Sequence, residues 1–439
     1  MMASKWYQQL QKDIGIQPAI VKLKVSDATF SNTYQNELAV SDALYDLDVL
    51  STMGQDKPVQ ARLVQIEKHG KNYSVKLYTL KDSIPLSQSM PILESMGLNV
   101  LVGRPYRITL GRTIFWIHHF TLDRAESICD IDREKIPRYF SELFESRWNQ
   151  KSENDAFNNL LFSAGIKSRN IQILRAYTAY LQQIRFPHRR GYIIETLNTY
   201  PEISLLLVKS FLHKFDPEKT DRNSYKAIIE SINEQLYEIE SLDHDLIFKR
   251  LVNLIDCTVR TNYFQPQENE GRLSFKFNSP GIEQMPRPSP RFEIFIYSPR
   301  FEGIHLRGGK VARGGIRWSD RKEDYRTEIL GLMKAQMVKN AIIVPAGSKG
   351  GFITKQIAKF APSEIYGEVK ACYSLYIKSL LELTDNLVNQ EICHPRQTSI
   401  YDEDDPYLVV AADKGTAAFS DVANRIAKQY DFWLDDAFA

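Results

Sequence analysis

The period at which apolar residues recur changes twice along this chain of 439 residues, and each change marks a different kind of structure. Up to about Cys129, short apolar runs alternate with turn residues. Val59 to Ile66, Ser74 to Leu80 and Ile114 to Phe120 have the β-branched and aromatic content of strands. Leu86 to Met96 between them reads as a short helix that ends at Gly97. Residues 1–130 are therefore expected to form a small α+β module. Over residues 131–241 the period becomes helical: Phe140, Leu143, Phe144 and Trp148 share one face, and Ile171 to Ile184 and Ile203 to Phe215 repeat the pattern. Asp216-Pro217 breaks this region, and a further helix is expected from Ser224. From Leu242 strands are expected to return, with Leu273 to Phe277 and Phe292 to Tyr297 in period two around a Pro- and Ser-rich loop. The prediction is a multidomain α/β and α+β protein whose last part, residues 242–439, is an α/β domain.

Charge narrows the partners little. The 56 basic and 54 acidic residues leave a net charge of +2. His188-Arg189-Arg190 is too short a basic run to predict nucleic-acid binding. No apolar run approaches the 18 or so residues of a membrane span, and Met1 to Leu10 lacks the apolar stretch of a signal peptide. Cys129, Cys257, Cys372 and Cys393 lie far apart with no CxxC spacing. They read as reduced thiols of a cytoplasmic protein with no metal site.

Chemistry concentrates between Gly308 and Gly351. In Ala312-Arg313-Gly314-Gly315-Ile316-Arg317-Trp318, paired glycines allow close approach of the backbone to a ligand and positive φ. Asp320 and Glu323 fit a capping box, which predicts a helix start there. That helix would turn Ile329, Leu330, Met333 and Met337 inward and present Gln336 and Lys339 on one face. Asn340 to Pro345 reads as a buried strand running into Ala346-Gly347-Ser348-Lys349-Gly350-Gly351. A lysine wrapped by glycines is suited to acid/base work, because desolvation and neighbouring cations such as Lys339 and Arg313 disfavour its charged form. A phosphate loop of the GxxxxGK[ST] type is not met, since Gly350 follows Lys349. A purely structural glycine turn stays open.

Further on, the apolar strand Tyr407 to Ala412 runs into Asp413-Lys414-Gly415-Thr416-Ala417. A carboxylate in that place sits at the carboxyl edge of a sheet, where open α/β folds bind ligands. Alternatively it caps the helix that holds Val422 and Ile426.

Together, Arg307 to Arg321, Lys334 to Gly351 and Asp405 to Ala417 resemble the glutamate dehydrogenase superfamily, and in particular its very large NAD-dependent bacterial branch. The resemblance runs over essentially the whole chain and includes an ACT-like module near the start. It implies that Lys349 and Asp413 are the catalytic lysine and aspartate. Gln336 and Lys339 would hold the substrate α-carboxylate, and Arg313, beside Gly314 and Gly315, would bind the side-chain carboxylate. Arg313 stands where the common enzymes have lysine, and a guanidinium can bind a carboxylate in a bidentate way. The implied reaction is oxidative deamination of glutamate to 2-oxoglutarate by a homo-oligomer with NAD. No G-x-G-x-x-G occurs in the sequence. The nucleotide-binding domain is accordingly expected beyond this chain, and no cofactor-binding residue is assigned within it. Two other readings stay open: a leucine- or phenylalanine-type dehydrogenase segment, and a non-catalytic regulatory or assembly module.

Overall fold

The structure, a computed structural model, describes residues 5–14, 28–65, 73–123, 134–218, 222–266, 271–339 and 346–434. It divides into two compact units, Met1–Ser168 and Arg169–Ala439.

In the first unit, helices α1 (Lys5–Ile14), α2 (Asn32–Glu37), α3 (Val40–Thr52) and α4 (Leu86–Ser95) accompany a five-stranded antiparallel sheet. Its strands are β1 (Ala28–Phe30), β2 (Val59–Gln65), β3 (Tyr73–Leu80), β4 (Val100–Leu110) and β5 (Thr113–Leu122), in the order β1-β4-β5-β3-β2. The three strands and the helix read from the sequence are all present, and Gly97 ends α4 with φ +75°. Strand β4 escaped the sequence reading because Gly103 and Pro105 lie inside it. Both have a structural reason. A Cβ at 103 would meet the Phe120 ring at 2.8 Å. Pro105 faces an edge that β1 leaves open, since β1 pairs only with Ile108 to Leu110. The core joins Leu47 and Leu50 of α3 to Tyr78, Ile108 and Ile117 of the sheet. Helices α5 (Ile136–Trp148) and α6 (Leu160–Ala164) complete this unit, with α5 against β2.

The second unit opens with helices: α7 (Ser168–Gln183), α8 (Arg190–Thr199), α9 (Pro201–Phe215), α10 (Arg222–Leu236) and α11 (Leu242–Cys257). The last corrects the expectation of strands from Leu242. Ser241 caps it by accepting from the His244 N–H, Asp243 and Asp245 occupy the first turn, and Ile247, Phe248, Leu251, Leu254 and Ile255 bury one stripe. Helical periodicity therefore continues to Cys257, and the strands begin one residue later.

The sheet of this unit contains β6 (Thr258–Thr261), β7 (Leu273–Asn278), β8 (Phe292–Tyr297), β9 (Phe301–Arg307), β10 (Arg313–Trp318) and β11 (Ser348–Thr354). A two-stranded hairpin, β12 (Asn386–Val388) with β13 (Glu391–Cys393), lies outside it, and β14 (Val409–Ala412) is its seventh strand. The order is β14-β10-β11-β9-β8-β7-β6. Strand β10 runs parallel to both β11 and β14, and the rest is antiparallel. Parallel neighbours need crossovers, which α12 (Tyr325–Lys339) and α13 (Pro362–Leu381) provide. A Cβ on Gly350 would run into Tyr376 of α13, and one on Gly351 into Ile329 of α12. Successive strand residues point to opposite faces, so the two helices cover opposite faces of the sheet. Helix α14 (Ser420–Gln429) packs against α13 through Ala423, Ile426 and Ala427 in the core shared with Tyr373 and Leu380.

Candidate active site

Strand β11 carries Lys349; its parallel neighbour β10, and the turn after β14 on the far side of β10, carry the residues that meet it. Lys349 Nζ lies 2.9 Å from Asp413 Oδ2, with both side chains less than one fifth exposed. Asp413 follows Ala412, the last residue of edge strand β14, and so sits at the carboxyl edge as the sequence predicted. It is not a helix cap, because α14 begins at Ser420 behind a short turn capped by Thr416. Thr416 fixes the turn instead: its hydroxyl donates to the Ile316 carbonyl at 2.6 Å and accepts from the Asp413 N–H at 3.1 Å.

The glycine pair is explained by space. Neither Gly314 nor Gly315 has positive φ, contrary to one expectation from the sequence. A Cβ on Gly314 would overlap the Ser348 carbonyl oxygen. On Gly315 it would lie 2.9 Å from Asp413 Cβ, 3.0 Å from the Ala412 oxygen and 3.2 Å from Lys349 Nζ. The Lys349–Asp413 pair thus occupies the place a side chain at 315 would take. The segment around Lys349 is a strand rather than a glycine turn, and the ammonium has a carboxylate neighbour in Asp413.

Asp413 has a second cation. Arg317 Nη2 lies 3.1 Å from Asp413 Oδ1, while Nη1 lies 2.9 Å from Oε1 of Glu328 in α12. Ser319 Oγ donates to Glu328 Oε2 at 2.6 Å, and the Lys414 N–H donates to Asp413 Oδ1 at 2.7 Å. Burial pushes the Asp413 carboxyl up, but Lys349, the Lys414 N–H and Arg317 outweigh it and hold the group below the usual carboxylate range. Arg317, Glu328 and Ser319 went unassigned in the sequence. Arg317 lies inside the same motif, two residues from Gly315 and so on the same face of β10.

Gln336 and Arg313 meet at the start of β10. Gln336 Nε2 donates to the Arg313 carbonyl at 3.0 Å, and its Oε1 is close to where Cβ atoms on Gly314 and Gly347 would lie. Gln336 thereby ties the end of α12 to β10. The Arg313 side chain is exposed, with no ion pair among the described residues. Lys339 is the last residue of α12, and its side chain lies outside the described residues, as does the strand expected over 340–345. The predicted capping box is corrected: Asp320 to Asp324 form a turn, Arg321 pairs with Asp324, and α12 starts at Tyr325. Within α12, Ile329, Leu330 and Met333 are buried as expected, whereas Met337 is partly exposed.

Of the cysteines, Cys257 and Cys372 are buried free thiols, Cys393 is an exposed one, and Cys129 lies outside the described residues. Among the described residues, Asp385, His394 and Asp404 bring ligand-type atoms within 4.8 Å of one another. Asp385, however, is already paired with Arg260 at 2.7 Å. No described helix is long and apolar enough to cross a membrane.

Fold and sequence together define a class, that of the glutamate dehydrogenases. The profile of the bacterial NAD-glutamate dehydrogenase catalytic domain matches residues 231–439. Those of glutamate dehydrogenase helical motif 3 and the ACT3 domain match residues 152–217 and 59–136. The NAD-specific glutamate dehydrogenases of Halomonas elongata and Pseudomonas aeruginosa are each 44% identical over 93% of this chain. That of Mycobacterium tuberculosis is 40% identical over 94%. The chain therefore belongs to the large bacterial NAD-specific glutamate dehydrogenase family, and it spans 26% of the length of these three relatives.

Proposed function

We propose that this chain supplies the substrate-binding and proton-transfer half of an NAD-dependent oxidative deamination of L-glutamate to 2-oxoglutarate and ammonia. In this reading the enzyme is a cytoplasmic homo-oligomer, and the chain comprises an ACT-like module (1–130), a helical region (131–241) and a catalytic domain (242–439). The observation that carries it is the Lys349–Asp413 contact of 2.9 Å, where the end of β14 meets the start of β11 across β10. Arg313, Gln336 and Lys339, with the close-packed Gly314 and Gly315, are the groups assigned to the two carboxylates of the substrate.

The geometry supports a role for each member of the pair. Asp413, kept ionised by its neighbours, is a base able to take a proton from the substrate amine. Lys349 donates a hydrogen bond to Asp413 Oδ2 at 2.9 Å, so a proton can pass between the two groups without a large movement. Once an imine has formed, the Lys349 ammonium is suited to orient water and to stabilise the developing oxygen charge. NAD, when bound, would supply the acceptor for a hydride from the substrate Cα. Among the described residues no paired-glycine turn joins a strand to a helix as a dinucleotide site requires, so every step assigned here stays on this chain's own side chains.

Two measurements test the proposal. Titration calorimetry on the chain should show 2-oxoglutarate binding that weakens on Arg313→Ala. A polypeptide that joins this chain to a dinucleotide-binding domain of the family should form NADH with glutamate. A signal with leucine or phenylalanine alone would transfer the reading to an apolar amino acid, and none with any of the three would refute it.

A further inference from the structure

Asp413 is gripped asymmetrically. Its Oδ2 accepts only from Lys349 among the described residues, whereas Oδ1 accepts from Arg317 Nη2 at 3.1 Å and the Lys414 N–H at 2.7 Å. Arg317 is itself anchored, because its other terminal nitrogen donates to Glu328 Oε1 at 2.9 Å and Ser319 holds the second oxygen of Glu328 at 2.6 Å. The side chains of Arg317, Glu328 and Asp413 are each between 15% and 20% exposed, so solvent competes weakly for these contacts. The chain of contacts runs from the first turn of α12 through β10 to the end of β14. It ties the acid to the helix that also carries Gln336 and Lys339.

We propose that Arg317 is a positioning residue: it clamps Asp413 by Oδ1 against α12, leaving Oδ2 as the oxygen that faces Lys349 and exchanges the proton. The proposal rests on Asp413 being the proton-transfer carboxylate. Without Arg317, Oδ1 would be held only by the Lys414 N–H of the acid's own turn, and the carboxylate would be free to tilt relative to β10 and α12. Two donors on Oδ1 remove that freedom before substrate arrives, which is the entropic advantage of a preorganised site. A guanidinium suits the task because its separate Nη atoms bridge two carboxylates in a fixed plane. Among the described residues, the charged groups facing Asp413 are Lys349 from β11 and Arg317 from β10, with Glu328 of α12 acting through Arg317. The Lys414 N–H comes from the acid's own turn.

The test follows the Asp413 carboxyl carbon by 13C NMR titration in the unmodified chain and in Arg317→Met and Arg317→Lys. The midpoint should rise by about one pH unit in the Met variant and stay near the original in the Lys variant. If Arg317→Met does not fold, Arg317→Gln supplies the same loss of charge. An unchanged midpoint in a charge-neutral variant with an otherwise native amide spectrum overturns the proposal. In the family-domain fusion, Arg317→Met should lower kcat about 10- to 100-fold and move the acid limb of its pH profile upward. KM for glutamate should change far less, whereas a residue needed only for stability would leave the acid limb in place. Retained turnover in Asp413→Asn would sink the underlying assignment. A dead Asp413→Asn beside an Arg317→Met with unaltered kcat and acid limb would sink the positioning role alone.

Discussion

Lys349 and Asp413 touch across a residue without a side chain, Gly315, whose missing Cβ would stand 2.9 Å from Asp413 Cβ and 3.2 Å from Lys349 Nζ. Gly315→Ala should therefore force the pair apart while leaving most of the fold intact. The expected result is a kcat loss of about 100-fold with a stability loss of about 1–3 kcal/mol, read from kinetics in the fusion and urea unfolding of the chain. Gly314→Ala should be harsher, because its Cβ would overlap a backbone oxygen of the neighbouring strand that cannot swing away. Wild-type kinetics in Gly315→Ala would show that the close approach is irrelevant to the chemistry.

Removing either member of the pair should separate chemistry from binding. Lys349→Ala and Asp413→Asn are each expected to lower kcat in the fusion by about 10²- to 10⁴-fold. Calorimetric affinity of the chain for 2-oxoglutarate should change much less, since the carboxylates are assigned to other residues. A variant that lost affinity and kept kcat would exchange the two roles.

His305 makes the stability of the second unit depend on pH. It is 1% exposed on β9, and neither ring nitrogen has a hydrogen-bond partner among the described residues. Burial, aided by Arg307 and opposed by Asp405, pushes its pKa down to about 3. Between roughly pH 6.5 and 3 the unfolded chain therefore binds a proton that the folded chain refuses. Stability then falls as pH falls, by up to about 1.4 kcal/mol per pH unit. His305→Leu should flatten that slope in urea unfolding at pH 7, 6 and 5. Parallel slopes in the two proteins would exclude His305 as the source.

In the first unit the fully buried Asp46 accepts from Tyr34 Oη at 2.7 Å, Tyr78 Oη at 2.8 Å and Lys76 Nζ at 3.0 Å. Asp46→Ala would leave the Lys76 ammonium buried with only Asp42, at 3.3 Å, as a carboxylate partner. Stranding a buried charge in this way costs about 3–5 kcal/mol. Hydrogen exchange should show protection lost in α3 and β3 and kept in β10 and β11. Uniform loss throughout the chain, or none at all, would contradict the local account.

Elements that bury one face were legible in the sequence, because apolar spacing reports burial directly. The helices at 140–148, 171–184 and 203–215 and the strands at 273–277 and 292–297 were found for this reason. Strand β4 was hidden by Gly103 and Pro105, whose cause is a neighbouring ring and an open edge rather than anything local. Helix α11 carried a readable signal in Ser241 and in Ile247, Phe248 and Leu251, but its start adjoined the expected domain change. The capping box failed because Asp320 and Glu323 lie in the turn before the helix, where Arg321 engages Asp324 instead.

The sequence by itself determined the parts: the order of helical and extended regions, the glycine pair, the lysine among glycines and the aspartate after an apolar strand. Spacing along one chain reports periodicity and local turns, which depend on near neighbours. Only the tertiary structure decided that Lys349 and Asp413, 64 residues apart, share a hydrogen bond, and that Arg317 and Glu328 hold the acid from the other side. That meeting depends on β10 lying between β11 and β14 in one parallel register. Two helical crossovers on opposite faces set that arrangement, and no local pattern encodes the pairing of distant strands.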